Sequence, residues 1–115
     1  MGKGNIDEAL RLAQGVVQRN PNIAGFVDTL GWVYYKKGLY DLAADQLQKA
    51  TALDEANARA TNGTASATYQ FHLGVALKGK GDKEGSRRAL EASLRLGDQK
   101  PFPEAGEARQ ALASL

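Results

Sequence analysis

The chain repeats itself, and repetition at this length dictates the architecture before any single residue is considered. At an offset of 34 residues, Gly4, Ile6, Asp7, Ala9 and Pro21 of GNIDEALRLAQGVVQRNPN fall on Gly38, Tyr40, Asp41, Ala43 and Glu55 of GLYDLAADQLQKATALDEAN. At 43 residues, LGWVYYKKGLYDLAADQLQKATAL (Leu30 to Leu53) overlays LGVALKGKGDKEGSRRALEASLRL (Leu73 to Leu96), pairing Lys37 with Lys80, Gly38 with Gly81 and Leu47 with Leu90. Units this small cannot bury an apolar face alone, so each must stack on the next.

The apolar spacing within the units is helical. Ile6, Ala9, Leu10, Ala13, Val16 and Val17 recur every three or four residues over 5–19, and Asn20-Pro21 ends the run. Residues 23–37 and 40–53 form one helical hairpin around Gly38, and 66–79 and 83–96 a second around Gly79 to Asp82. No window alternates with the period of two that marks a strand, so an all-α domain of about six helices is expected. Phe102 is expected to pack back on the last helix. Pro103 suits that helix's first position, Ala105, Ala108, Leu112 and Leu115 form its inner stripe, and Glu104, Glu107, Arg109 and Gln110 face water. The nine extra residues of the longer offset lie at about 58–66. Asp54 to Thr61 holds good helix formers and neither Gly nor Pro. Two readings stand: a helix carried two turns further to Asn62-Gly63, or a loop.

Leu30, Gly31, Tyr34, Gly38, Tyr40, Ala43, Leu47 and Ala50 resemble the tetratricopeptide repeat, whose unit is a pair of antiparallel helices. The later copy keeps Leu73, Gly74, Gly81, Leu90 and Leu96 and has Leu77, Lys83, Ser86 and Ser93 in place of Tyr34, Tyr40, Ala43 and Ala50. The resemblance implies a right-handed solenoid of helical hairpins in a single domain. It divides into a half repeat (4–22), a repeat (23–57), an insertion (58–66), a second repeat (67–98) and a capping helix (101–115). More narrowly, the tail FPEAGEARQALASL is similar to the C-terminal repeats of bacterial tetratricopeptide proteins associated with exopolysaccharide export and PEP-CTERM protein sorting. Either the bacterial cytoplasm or the periplasm would suit such a chain.

Composition removes most chemistry. With no cysteine and one histidine among 115 residues, neither a thiolate nucleophile nor a Cys- or His-built metal site is available, and no enzyme activity or cofactor is expected. Fifteen basic against 13 acidic side chains leave a net charge of +2, too small to gather polyanions, so nucleic acid is not the expected partner. No run reaches the roughly 20 apolar residues of a spanning helix, so no membrane insertion is expected. Lys78, Lys80, Lys83, Arg87, Arg88, Arg95 and Lys100 make the one basic stretch. Glu84 with Arg88 and Glu91 with Arg95, at i and i+4, give it the pattern of a solvated face.

Function is therefore sought on the concave surface lined by the first helix of each pair. Leu30, Gly31, Tyr34, Leu73, Gly74 and Leu77 share a stripe read as buried, with the glycines opposite Ala43 and Ser86. Asp28, Trp32, Tyr35 and Lys36 project away from that stripe, and Phe71, Val75 and Lys78 are their counterparts; these seven are the expected peptide-binding groove. Aromatic rings flanked by lysines suit a protein or peptide segment, preferably acidic. Thr29 and His72 occupy positions where the family's carboxylate clamp has Asn. His72, without an evident carboxylate beside it, is read as a helix-surface residue. The first helix matches the second half of a repeat, which makes a homodimer through that end, or a structural terminal role in a longer bacterial protein, the alternative to peptide binding.

Overall fold

The computed structural model describes residues 3–115, and within them six helices and no strand: α1 (Lys3–Arg19), α2 (Ala24–Lys36), α3 (Tyr40–Thr61), α4 (Ala67–Lys80), α5 (Lys83–Gln99) and α6 (Ala105–Ala113). Each helix packs chiefly on its neighbours in the chain, α1 on α2 through to α5 on α6, while α2 also touches α4. The result is the all-α helical-repeat stack that the periodicity implies.

The two offset copies are chemically equivalent at their turns. Gly38 (φ +80°) and Gly81 (φ +95°) both take the left-handed conformation that ends a helix. In each case the following residue reaches back five positions: Leu39 N–H donates to the Tyr34 carbonyl at 3.0 Å and Asp82 N–H to that of Leu77 at 2.9 Å. Asp82 then caps α5, accepting the Gly85 N–H at 2.9 Å.

Close approach inside each hairpin is also duplicated. A Cβ built on Gly31 would lie 2.6 Å from Leu47 Cγ, and one on Gly74 would lie 2.7 Å from Leu90 Cγ, so leucines make the closest approach, while Ser86 also meets Gly74 at its backbone carbonyl, as expected. Leu47 and Leu90 are fully buried, each contributing about 1.5 to 3 kcal/mol by removal from water. The serines that make the second copy look degenerate are satisfied in the core. Ser86 Oγ donates to the Gly74 carbonyl at 2.7 Å, and Ser93 Oγ to that of Leu90 at 2.6 Å.

α3 takes the longer of its two readings. It runs unbroken to Thr61, where Asn62 turns left-handed (φ 57°) and Gly63 N–H closes on the Ala58 carbonyl at 2.8 Å. The returning chain is pinned by Asp54, whose carboxylate accepts the Ser66 N–H at 2.7 Å; Ser66 Oγ in turn accepts the Tyr69 N–H at 3.2 Å and caps α4.

At the C-terminal end two expectations change, while Phe102 packs against the cluster that holds Ala108 of α6, as expected, and also reaches α5. Pro103 lies in a turn and α6 begins at Ala105, because Glu104 supplies the carbonyl that opens the helix by accepting from Ala108 N–H at 2.9 Å. Phe102 packs over Gly97 of α5, where a Cβ would meet the ring at 2.5 Å. Glu104 is half-buried, accepting from Thr68 Oγ1 at 2.9 Å. On α5, Arg87 pairs with Glu84 at i and i+3 (3.2 Å), whereas no ion pair joins Glu84 to Arg88 or Glu91 to Arg95 among the described residues.

Candidate functional site

The centre of the site is Trp32, on α2. Its indole stacks on Tyr35 one turn along (centroids 4.7 Å apart, planes 9° off parallel) and on His72 of α4 (3.9 Å, 21°), and it leans on Phe71 at 6.3 Å. Such offset contacts are worth about 0.5 to 1.5 kcal/mol each beyond burial and fix the ring's tilt. Lys36 Nζ lies 5.9 Å from the indole centroid on the exposed side, a cation over a π-face. Tyr40 extends the row, 5.6 Å from Tyr35. Burial, with a smaller contribution from Tyr40, raises the Tyr35 hydroxyl above its ordinary pKa.

Trp32, Tyr35, Phe71, Val75 and Lys78 line one cavity of about 410 Å³. Its remaining wall is α6: Glu107, Gln110, Ala111 and Ser114. The depression therefore spans three helices, α2, α4 and α6. The last of these was read from sequence only as a cap with Glu107 and Gln110 turned to water. The signal that α6 belongs to the wall was its position, one repeat after α4, and not its residue types.

Two of the seven expected groove residues stand elsewhere. Asp28 is 6% exposed and spent on His72, whose Nδ1 lies 2.9 and 3.0 Å from its carboxylate oxygens. Lys36 is exposed at the rim, beside Trp32 and outside the cavity lining. Phe71 lines the cavity yet is only 4% exposed, so it forms floor and not a free ring. Lys78 does not wait unpaired for a carboxylate: its ammonium donates to the Ala111 carbonyl at 3.4 Å and to Ser114 Oγ, holding the end of α6, where the helix dipole favours a cation.

His72 differs most from its expected role. Its side chain is 12% exposed, with a carboxylate partner from the neighbouring repeat and an indole on its face, in place of a free helix-surface position. Thr29, the other clamp position, turns inward on its own helix and donates to the Gly25 carbonyl at 2.9 Å. Among the described residues no group of three or more His, Cys, Asp or Glu side chains could hold a metal ion, and no helix is long and apolar enough to cross a membrane.

The fold and the depression together define a class, the helical-repeat protein with a groove along its first helices. The comparisons with known proteins agree with the helical-repeat fold. A tetratricopeptide repeat family model matches residues 29–72, from the middle of α2 to the middle of α4. Among solved structures, the chain is similar to PcrH in complex with the chaperone binding region of PopD (TM-score 0.78, 20% identity, 96% of this chain and 78% of that one). It is also similar to the Yersinia enterocolitica type III secretion translocator chaperone SycD in an alternative dimer (TM-score 0.79, 21% identity, 96% and 79%). At such identities the likeness is one of fold. No curated protein matches the chain by sequence.

Proposed function

We propose that this protein is a noncatalytic scaffold that holds a peptide or protein segment in the depression formed by α2, α4 and α6. The observation that carries the reading is the cavity of about 410 Å³ whose walls come from all three of these helices and whose apolar lining is Trp32, Tyr35, Phe71 and Val75. A side chain of leucine or phenylalanine size seated there removes apolar area from water, which supplies the affinity. Lys36 at the rim favours an acidic residue beside that anchor. Glu107 on the opposite wall disfavours acidity along the whole segment, so the ligand is a mixed apolar and acidic one. In the structurally similar PcrH, a chaperone binding region of another protein forms the complex, which supports a segment as the ligand class.

The chain has one tryptophan, so its emission reports on the groove alone. Titration with synthetic 12-residue peptides carrying Leu or Phe next to Asp or Glu is expected to shift Trp32 emission saturably to the blue, and Val75→Glu is expected to remove the shift while preserving helicity. Emission that stays fixed for every peptide, or binding that Val75→Glu leaves intact, would overturn the assignment.

A second reading is self-association through the N-terminal hairpin. Leu12 of α1 is 56% exposed, Ile23, the residue before α2, 47% and Phe26 of α2 40%. Sedimentation at rising concentration distinguishes it: a monomer throughout excludes the homodimer. The export and sorting setting rests on the tail's likeness alone, and genes of polysaccharide export flanking this one would support it.

A further inference from the structure

The polar contact that joins the two central groove helices is not explained by holding a peptide. Asp28 on α2 and His72 on α4 lie 44 positions apart, one more than the repeat offset, and their side chains are 8% and 12% exposed. His72 is at once in contact with the carboxylate through Nδ1 and stacked on the indole that forms the groove wall. One proton added to this ring therefore alters two contacts together. With the imidazolium, the bond to the Asp28 carboxylate becomes an ion pair with both partners charged, and a cation faces the Trp32 ring in place of a neutral one. Both changes draw α4 toward α2 at the depth of the groove wall.

We propose that His72 is a proton-operated latch between α2 and α4 that sets the position of Trp32. Protonation tightens the stack and fixes the indole, and loss of the proton leaves the wall free to adjust. The inference concerns the unliganded protein; its consequence for affinity rests on the groove reading above.

The other ionisable groups around the pair do not reproduce this behaviour. On α2, Lys36 lies 5.9 Å from the indole centroid, and Tyr35 stacks on the indole. On α4, Tyr69 is held neutral to higher pH than usual, first by burial and then by the charges of Asp28 and Asp54. From α3, Asp54 is engaged with the Ser66 N–H, and Glu104, ahead of α6, with Thr68. Histidine is the side chain suited to change charge between about pH 5 and 8, and this chain has one.

Because histidine and tryptophan each occur once, the wild-type protein can test the latch without any substitution. The ring Cε1–H resonance of His72 and the emission of Trp32 are followed in parallel from about pH 8 to pH 5, with no peptide present. The expected result is one transition seen by both probes at one midpoint, with Trp32 emission falling and its quenching by acrylamide becoming weaker on the acid side. His72→Gln is expected to leave emission flat while helicity is kept. Emission that does not change across the histidine transition, midpoints that differ, or an emission change that persists in His72→Gln would overturn the latch. None of these outcomes depends on peptide binding, so failure of the latch and failure of the groove reading are separately visible.

Discussion

Two glycines in helices, Gly31 and Gly106, look alike in sequence and have opposite roles. Beside Gly31 a methyl group would meet Leu47 Cγ at 2.6 Å and the Leu47 backbone nitrogen at 3.2 Å, and Leu47 is fully buried and cannot swing away. Overpacking of this kind costs about 1 to 3 kcal/mol, more than the roughly 1 kcal/mol that alanine gains over glycine in a helix. Gly106 has nothing within 4 Å of its would-be Cβ, so only the helix gain applies there. Gly31→Ala should therefore lower the urea midpoint and Gly106→Ala should raise it, the second through a stability gain of about 0.5 to 1 kcal/mol. A midpoint unchanged in Gly31→Ala would mean that α2 and α3 can separate at no cost. Sequence showed that Gly31 and Gly74 are sites of close approach because they recur at the repeat offset. The identity of the opposing residue depends on helix rotation, which spacing leaves open by one turn. The same indeterminacy hid the Asp28 and His72 pair: with first helices running side by side, a position one past the offset is a cross-repeat neighbour, but either residue alone reads as surface.

At the scale of the element, α3 is the unit that the repeat period does not explain. Its last two turns follow from composition, since Asp54 to Thr61 contains no residue that breaks a helix, and its end is set by Asn62 in the left-handed region. The turn at Asn62-Gly63 is legible, whereas the sequence leaves the extension open between a helix and a loop. What was not legible is the return: Asp54, on the extended helix, accepts the N–H of Ser66 12 residues later, so the overhang and the following loop are one locked element. An alanine at 62 must adopt φ near +57° against its Cβ, at about 1 to 2 kcal/mol, whereas glycine does so freely. Asn62→Ala is expected to speed amide exchange in the 58–66 segment while α1 and α2 keep their protection, and Asn62→Gly is expected to leave it near wild type. Equal protection in the alanine and glycine variants would show that the turn is not what ends α3. The start of α6 was misjudged for a related reason. Pro103 is permitted at a first helical position, but Phe102 is drawn onto Gly97 and uses the next two residues to turn the chain.

The whole molecule behaves as a line of neighbours, because packing runs from each helix to the next and little of it skips one. Stability in such a stack is local, and the ends should open before the middle. α6 is the informative end because it is both the last helix and the third wall of the groove. It is held by Ala108, fully buried against Phe71 and Leu90, and by Lys78, which reaches from α4 to the Ala111 carbonyl and Ser114 Oγ at the far end of the helix. Removing the ammonium with Lys78→Met keeps the aliphatic stem over Ala111 and deletes only those polar contacts. A bond to a charged donor that is partly open to water is worth about 1 kcal/mol, so amides of α6 should exchange about fivefold faster. Those of α1 to α3 should not change, and the melting temperature should move by a few degrees at most. A uniform rise in exchange across all six helices would instead make the stack a single cooperative unit, with Lys78 serving its core. The local outcome would show that the groove's third wall can shift independently of its first two, which is the mechanical freedom a scaffold needs to admit segments of different width.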